Sequence, residues 1–489
     1  MTVRALHVAA ELYPLLKTGG LADVVGALPP VLAPLGVDAR VIMPGFPAVM
    51  AGLDDLRPVA ETGPRFGIQN PQIQLGRMKS NGTGIYVVRA DAFYDRPGSP
   101  YLDASHHPYT DNARRFAMLG WAASLLAQGA DPNWAPQVVH AHDWHAGLAA
   151  PYIRAAEAAQ HRKLPATVMT VHNLAYQGLF PAASFNDLGL PWSFYQIQGM
   201  EFWGQVSYLK GGLHYSDKIT TVSPTYANEI QTLAQGAGLD GLLRERSHDV
   251  LGILNGVDYA VWHPSIDDSI VQQYWVDDME GKAGCKRALQ QRFRIAQTPD
   301  APIFGVVSRL TEQKGLDLLL AALPEIIERG GQVVVLGTGE PRLEAGLKQA
   351  AHEHPESVAI ELGFDEALAH AIIAGSDIVC VPSRFEPCGL TQLYGLAYGT
   401  LPLVHGVGGL ADTVVDASLE NLAEGIATGC VFEKFDLKSL KHAIRRAFAL
   451  YSRPDDWNAA QRRGMKTNFG WEASALRYAD LYQRLSGTA

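Results

Sequence analysis

Short apolar runs rich in β-branched residues alternate along this chain with longer stretches whose apolar positions recur at helical spacing. Strands in the middle of a parallel sheet are covered by helices on both faces, so they form continuous apolar runs. Such runs occupy 6–10, 39–43, 85–89, 137–142, 167–172 and 218–222, then 302–308, 332–336, 358–362, 378–382 and 402–405. The pattern predicts an α/β fold with two doubly wound, Rossmann-like domains, whose ligands bind beyond the carboxyl ends of the strands.

The length of 489 residues exceeds what one hydrophobic core supports, so two or three domains are expected. A Gly- and Asn-containing stretch at 252–258 is the predicted seam between them. We therefore predict a first domain over 1–254 and a second over 255–466. The remaining segment, 467–489, has apolar residues at helical spacing from Trp471 to Leu485 and is expected to pack back on the first domain.

Composition and charge narrow the class of partner. The chain is 47% hydrophobic and 18% charged, which is typical of a globular protein, and its net charge of −10 argues against nucleic acid as a partner. No apolar run is as long as a membrane span, and Met1–Arg4 lead directly into a strand without a visible secretory signal. The four cysteines form no CxxC pair. These observations predict a cytoplasmic protein with reduced thiols.

A glycine-rich turn, Lys17-Thr-Gly-Gly-Leu-Ala-Asp23, joins the first predicted strand to the first predicted helix. Glycines allow a phosphate to approach the backbone, free N–H groups at a helix start point towards it, and Lys17 adds a positive charge. A similar stretch at 408–414 has no preceding lysine. We interpret the first copy as an anion site and the second as a tight turn, and their likeness suggests two related lobes facing one ligand.

Two cations follow a buried strand of the second half. Arg309 comes directly after the run at 302–308, and Lys314 follows in the next loop. A guanidinium and an ammonium at the carboxyl end of a strand can hold a diphosphate and neutralise a leaving group. The alternative is that both are solvated surface charges.

The stretch Ser383-Arg-Phe-Glu-Pro-Cys-Gly-Leu-Thr-Gln392 follows another buried strand. Helical spacing resumes at Leu390, so the N–H groups of Gly389, Leu390 and Thr391 are predicted to face an anion. Glu386 lies just outside, where its carboxylate can accept hydrogen bonds from sugar hydroxyls or interact with the helix dipole.

Histidines cluster at two strand ends of the first half. In His140-Ala-His-Asp-Trp-His145, the spacing matches no familiar zinc pattern, so we favour the polar end of a strand over a metal site. Asp143 and His145 are then candidate ligands for hydroxyl groups, and His140 a buried imidazole. His172 ends the run at 167–172 and is the best-placed imidazole, with a structural histidine as the alternative.

Six blocks in the same order resemble those of the bacterial glycogen synthases and plant starch synthases, and the resemblance extends over essentially the whole chain. The blocks are Lys17–Val24, Val139–His145, Val171–Gly178, Asn255–Asp258, Ser308–Asp317 and Ser383–Gln392. The resemblance implies a retaining glycosyltransferase of the GT-B type with a central cleft. Such enzymes transfer glucose from ADP-glucose to the non-reducing end of an α-1,4-glucan such as glycogen, with no metal or other cofactor.

The resemblance also implies roles for individual positions. Its catalytic group comprises Glu386, His172, Lys314, Arg309 and Asp143. Its ADP-glucose-binding group comprises Lys17, Gly19, Gly20, Asn255, Cys388, Gly389, Leu390 and Thr391. Within these groups, Arg309 and Lys314 hold the diphosphate, and His172, Asn255 and Glu386 surround the glucose.

One position departs from the wider retaining GT-B pattern, where a second glutamate follows the first by eight residues. Here that position is Tyr394, which argues against a two-glutamate model of ribose binding. Three alternatives remain open at this point: a transferase using UDP-glucose or a small acceptor, a hydrolase built on the cluster at 140–145, and a two-lobed sugar-binding protein.

Overall fold

A computed structural model describes residues 2–487, which form two compact units. Unit 1 comprises the chain up to Val222, Ala227–Leu254, and the chain from Trp471 onwards. Unit 2 comprises Ser223–Tyr226 and Asn255–Gly470. Among the described residues, no helix combines the length and apolarity needed to cross a bilayer.

Unit 1 is built on a nine-stranded sheet with the order β12-β11-β7-β6-β1-β2-β5-β4-β3, and on a separate three-stranded sheet with the order β8-β10-β9. The strands are β1 (Val3–Val8), β2 (Val37–Pro44), β3 (Leu53–Glu61), β4 (Gln72–Met78), β5 (Gly84–Arg89), β6 (Val138–His142), β7 (Ala166–Val171), β8 (Leu179–Pro181), β9 (Glu201–Phe202), β10 (Gln205–Ser207), β11 (Lys218–Thr221) and β12 (Val250–Gly252). The accompanying helices are α1 (Gly20–Leu32), α2 (Pro47–Ala51), α3 (Asp91–Tyr94), α4 (Asn112–Ala127), α5 (Asp143–Ala146), α6 (Ala149–Gln160), α7 (Phe185–Leu188), α8 (Tyr208–Tyr215) and α10 (Asp240–Glu245). Helix α9 (Pro224–Glu229) is divided, since its residues up to Tyr226 belong to unit 2 and the rest to unit 1.

Unit 2 has a six-stranded sheet with the order β15-β14-β13-β16-β17-β18, in which every pairing is parallel. Its strands are β13 (Ile303–Val307), β14 (Gln332–Gly337), β15 (Val358–Leu362), β16 (Ile378–Val381), β17 (Leu401–His405) and β18 (Cys430–Phe432). Its helices are α11 (Glu280–Phe293), α12 (Leu316–Ile327), α13 (Pro341–Glu353), α14 (Glu366–Gly375), α15 (Thr391–Ala397), α16 (Gly408–Thr413), α17 (Leu419–Ala423), α18 (Leu437–Tyr451) and α19 (Pro454–Lys466). The last helix, α20 (Trp471–Ser486), belongs to unit 1.

In both main sheets, the order of the strands reverses next to the first strand. In unit 2 the chain leaves β13 towards β14 and β15, and then returns to β16 on the other side. In unit 1 it leaves β1 towards β2 and β5, and returns to β6. This is the Rossmann order, and a crevice opens at the carboxyl ends of the two strands where the order reverses. The fold therefore places one crevice beside β13 and β16 and another beside β1 and β6.

Apolar residues cover both faces of the sheet in unit 2. Along β14, Val333 and Val335 pack into one core, while Val334 and Leu336 pack into the other. Full burial of each such side chain contributes about 1.5–3 kcal/mol. In unit 1, α20 places Trp471, Tyr478 and Tyr482 in a core shared with β1 and α1.

Every apolar run identified in the sequence overlaps a strand. The pattern missed the antiparallel pair β3 and β4, which extends the sheet beyond β5, because β3 is largely exposed and its register shifts twice. It also missed the short strands β8 to β10, β12 and β18. All four cysteines are buried and free.

Candidate functional site

The crevice of unit 2 collects the predicted diphosphate ligands. Arg309 is exposed two residues after β13, and Lys314 ends a 3₁₀ turn, Glu312–Lys314, that leads into α12. The Ser383–Gln392 stretch follows β16, the strand hydrogen-bonded to β13. Because parallel strands end at the same edge of the sheet, these side chains are positioned at one crevice.

Lys314 and Glu386 form an ion pair at this edge. Lys314 Nζ lies 2.6 Å from Glu386 Oε2, and the Ser383 hydroxyl donates to the same oxygen at 2.9 Å. Glu386 is only 6% exposed. An ammonium carries three N–H donors, so Lys314 can hold Glu386 and still donate to a ligand anion.

A glycine makes this pairing sterically feasible. Gly315 has φ +70°, and a Cβ on it would lie 1.9 Å from the Pro382 carbonyl oxygen. The turn that carries Lys314 therefore packs backbone to backbone against the segment that carries Glu386. A side chain at 315 would push the two segments apart.

The backbone after Glu386 leads into α15 in the predicted way. Gly389 has φ +75°, and α15 begins at Thr391 without a side-chain cap on its first N–H groups. The Thr391 hydroxyl lies 3.5 Å from the Val307 carbonyl oxygen, which ties α15 to the end of β13. Asn255 is brought alongside, since its backbone donates to Cys388, and burial raises the pKa of that thiol to about 12. Cys388 is therefore a neutral thiol.

The second glycine pair serves backbone packing. A Cβ on Gly408 would lie 2.0 Å from the Glu386 carbonyl oxygen, and one on Gly409 would lie 2.2 Å from that of Cys388. The Gly409 N–H donates to the Glu386 carbonyl at 3.2 Å. The start of α16 thus packs closely against the backbone of the Glu386 segment.

Tyr394, at the position of the wider group's second glutamate, is engaged in an aromatic stack. Its ring lies 3.9 Å from that of Trp262 at an interplanar angle of 3°, and His370 covers the other face of Trp262 at 3.6 Å. The residue that replaces the glutamate is thus part of the packing of unit 2.

In unit 1, the Lys17 turn follows β1 but is organised by a carboxylate that sequence reasoning missed. Glu11 accepts hydrogen bonds from the backbone N–H groups of Thr18 at 2.6 Å and Gly19 at 3.1 Å, and from the Tyr101 hydroxyl at 2.5 Å. The Gly19 N–H is therefore already engaged. Gly20 begins α1, and Lys17 Nζ lies 2.8 Å from Asp23.

Asp143 joins the carboxyl ends of β6 and β7. It has φ +56°, which is unusual for a residue with a side chain, and its Oδ1 accepts the backbone N–H of His172 at 2.8 Å. Burial raises the pKa of the Asp143 carboxyl to about 7, against the opposing effect of the hydrogen bonds from His172 and Asn173. This carboxyl therefore changes protonation near neutral pH.

His172 is half-buried beside Asp143 and hydrogen-bonded to His142 at 3.0 Å. Burial lowers the pKa of His172 to about 3, so its ring is neutral at physiological pH. The nitrogens of His7, His140 and His142 lie within 4.8 Å of one another, whereas Asp143 bonds to backbone N–H groups instead. Asp143 is therefore not a member of this group of histidine nitrogens.

Phe364 is a further residue that sequence reasoning missed. It lies two residues beyond β15, at the same carboxyl edge as Arg309, and is 78% exposed. An exposed aromatic ring offers a stacking surface for a nucleotide base. The signal available in the sequence was a lone aromatic after a glycine at a strand end, Gly363-Phe364.

Comparison with known proteins gives two family matches. The family described as "Starch synthase catalytic domain" matches residues 4–245, and that described as "Glycosyl transferases group 1" matches residues 289–464. Two curated proteins named "Glycogen synthase" are similar over 484 residues and 99% of this chain. The protein from Francisella tularensis subsp. novicida (strain U112) is 54% identical with 99% of its length covered, and that from Francisella philomiragia is 55% identical with 100% covered.

Solved structures give the same picture. The catalytic domain of starch synthase IV from Arabidopsis thaliana, bound to ADP and acarbose, superposes with a TM-score of 0.90 at 31% identity, covering 100% of both chains. Sucrose-phosphate synthase from Thermosynechococcus elongatus shares the fold, with a TM-score of 0.59 at 17% identity over 100% of both chains. These likenesses confirm the predicted two-domain α/β fold of the GT-B type.

The packing of Gly315 predicts a large cost for a methyl group. Gly315→Ala is expected to reduce the free energy of unfolding by roughly 3 kcal/mol or more, since it adds a steric clash to the left-handed backbone penalty of about 1–2 kcal/mol. Gly330→Ala is the matched control, because Gly330 has φ +79° and nothing within 4 Å of the added Cβ. Denaturant unfolding of both variants measures the difference, and equal losses would contradict the packing argument.

The raised pKa of Asp143 predicts a pH-dependent stability. The folded protein binds this proton more tightly than the unfolded chain, so the contribution is present at low pH and is lost as pH rises towards about 7. Between pH 5 and pH 8, wild type should lose about 3 kcal/mol more than Asp143→Asn, which keeps an oxygen acceptor. Urea unfolding at both pH values measures this, and parallel changes in the two proteins would refute the assignment.

Proposed function

The chain belongs to the family of bacterial glycogen synthases and starch synthases, and on that premise we propose that it transfers glucose from ADP-glucose to the non-reducing end of an α-1,4-glucan, with retention of configuration. The observation that carries the proposal is the Lys314–Glu386 pair at the strand-order reversal of unit 2. It supplies a cation for a leaving diphosphate beside a buried carboxylate for the sugar. Family membership favours this enzyme over a hydrolase or a sugar-binding protein.

The diphosphate is bound by Arg309 and Lys314, together with N–H groups at Gly389, Leu390 and Thr391. The two side chains neutralise charge, and the uncapped start of α15 adds oriented dipoles. By the family resemblance, Lys17 and Gly20 also contact the nucleotide sugar. Because the Gly19 N–H already donates to Glu11, we assign the backbone contact of this turn with the nucleotide sugar to Gly20.

The glucose is held by neutral and anionic groups. Glu386 accepts hydrogen bonds from its hydroxyls, and the Asn255 amide accepts or donates, beside the Cys388 backbone. His172 and Asp143 act on the same substrate as hydrogen-bonding partners, and the neutral ring of His172 provides one donor and one acceptor. The Cys388 thiol, with its raised pKa, takes no part as a nucleophile.

The reaction breaks the bond between the anomeric carbon and the diphosphate oxygen, and the electron pair leaves with ADP. Positive charge on the sugar ring is stabilised by nearby oxygens, including those of Glu386. The acceptor hydroxyl attacks on the same face, and its proton passes to the leaving phosphate, which preserves the α configuration. Removal of one group that stabilises such developing charge typically costs about 10²–10³ in rate.

Phe364 supports the choice of adenine as the donor base. An exposed phenyl ring stacks more surface against a purine than against a pyrimidine. The same geometry predicts that ADP-glucose is a better donor than UDP-glucose. The two donors share the diphosphate and the glucose, so the residues that contact those groups do not distinguish between them.

Removal of either member of the ion pair should lower turnover without unfolding the protein. Lys314→Ala and Glu386→Ala are each expected to lower kcat for glycogen-dependent nucleotide release by about 10²-fold or more. The matched control is Arg342→Ala, which removes a surface ion pair with Glu312 of the same turn. Near-normal turnover in both site variants would overturn the proposal, and release from UDP-glucose alone would assign the chain a different donor.

Loss of the Phe364 ring should weaken donor binding selectively. Phe364→Ala is expected to raise KM for ADP-glucose about ten-fold and to narrow the preference over UDP-glucose, because base stacking is worth about 1–3 kcal/mol. Leu419→Ala, which removes a similarly exposed apolar side chain from unit 2, should leave KM unchanged. An unaltered donor ratio in Phe364→Ala would show that the ring does not contact the base.

A further inference from the structure

A chain of buried imidazoles extends from His172 into the interior of unit 1. His172 Nε2 lies 3.0 Å from His142 Nδ1, and His142 Nε2 lies 3.0 Å from His7 Nδ1. His7 Nε2 faces the hydroxyl of Tyr482 at 3.5 Å, and that hydroxyl lies 2.6 Å from His140 Nδ1. We call His172, His142, His7 and Tyr482 the imidazole relay. It links a residue at the strand ends to the C-terminal helix α20.

Every ring of the relay is neutral at physiological pH. Burial lowers the pKa of His7 and His172 to about 3 and that of His142 well below its usual value. Burial also raises the pKa of Tyr482 well above its usual value, so its hydroxyl stays protonated. A neutral imidazole has one N–H and one bare nitrogen, and each link needs one of each. The tautomers of the three histidines are therefore coupled: all three carry their proton on Nε2, or all three carry it on Nδ1.

Tyr482 sets that direction because it has a single proton to give. Of the two imidazole nitrogens that Tyr482 faces, His140 Nδ1 at 2.6 Å is nearer than His7 Nε2 at 3.5 Å, and the hydroxyl proton is therefore assigned to the bond with His140. With that assignment, the proton of neutral His140 is on Nε2, which lies 2.5 Å from the Thr170 hydroxyl oxygen. The remaining lone pair of Tyr482 faces His7 Nε2, which must then carry the proton, since a bare nitrogen there would oppose a lone pair.

The proton on His7 Nε2 then determines the tautomers of His142 and His172. With its proton on Nε2, His7 has a bare Nδ1 that accepts from His142 Nε2–H. His142 consequently has a bare Nδ1 that accepts from His172 Nε2–H. We propose that His7, His142 and Tyr482 are positioning residues, and that the relay fixes His172 with its Nδ1 unprotonated, as an acceptor for a sugar hydroxyl. The role of His172 as an acceptor for a sugar hydroxyl rests on the proposed function. The tautomer of His172 follows from the relay alone.

The same residues could be assigned to a metal ion, since the nitrogens of His7, His140 and His142 lie close together. The hydrogen bonds of these histidines favour the relay. Both nitrogens of His142 and both nitrogens of His140 already have hydrogen-bonding partners, and a metal would displace at least one bond at each ring. Bound metal is therefore the alternative that the test must separate.

The tautomers can be read directly by long-range ¹H–¹⁵N correlation on the full chain labelled with [¹⁵N]histidine, at pH 7 to 8. Single substitutions such as His142→Gln and His172→Gln assign the signals. We expect His7, His140, His142 and His172 all in the Nε2–H form. A His172 signal with the proton on Nδ1 would overturn the proposal, as would stoichiometric zinc in elemental analysis of the purified protein.

Tyr482→Phe tests the origin of the direction, with Tyr478→Phe as control one turn earlier on the same buried face of α20. Without the hydroxyl, we expect mixed tautomers at His7, His142 and His172, and a fall in kcat/KM of about five-fold, comparable with the loss of one hydrogen bond. Tyr478→Phe should retain the wild-type pattern and rate. Unchanged tautomers in Tyr482→Phe would overturn the positioning role.

The activity of His172→Ala separates this inference from the proposed function. Undiminished turnover in that variant would remove His172 from the reaction, even with all four tautomers as expected. Impaired turnover in His172→Ala combined with Nδ1–H tautomers in wild type would retain the function and overturn the relay.

Discussion

The reversal of strand order between β13 and β16 is the constraint on which the candidate site depends. Two neighbouring parallel strands send their connections to opposite sides, so the loops after them diverge and leave a crevice. Arg309, Lys314 and Glu386 all lie on those loops. Their approach further requires glycine at 315, 408 and 409, where any Cβ would collide with backbone of the neighbouring segment. The strand order creates the crevice, and the glycines allow the segments that line it to pack closely enough for their side chains to meet.

Unit 1 repeats the topology but fills its crevice differently. Beside β1 and β6, the Glu11 carboxylate accepts hydrogen bonds from the N–H groups of the glycine turn. The buried imidazoles of His7 and His142 are hydrogen-bonded to each other at the same two strands. The edge of unit 2 presents cations and an uncapped helix, which suits a diphosphate. Apart from Lys17, the edge of unit 1 presents neutral rings and carboxyls, which suit the hydroxyl groups of sugars. The two related folds thus provide chemically different surfaces.

Much of this could be predicted from the sequence. Continuous apolar runs mark strands buried on both faces, so the parallel sheets and the strand-end residues followed from local pattern, and six ordered motifs indicated the family that the comparisons confirm. The partly exposed β3 and β4, which are the last two strands of the unit 1 sheet, lack that pattern and were missed. Glu11 and Tyr101 were also missed, because 90 residues separate the two partners of one hydrogen bond. Tyr482 is 475 residues from His7, and only the docking of α20 makes them neighbours.

The proposed reaction extends α-1,4-glucans from their non-reducing ends with retention. The most direct measurement uses ADP-glucose labelled in its glucose and glycogen as acceptor, followed by digestion of the labelled product with β-amylase, which releases maltose from α-1,4-linked non-reducing ends. We expect the label to enter glycogen and then to be released as maltose. Label that remains in the resistant core, or that never enters glycogen although the protein is folded, would contradict it.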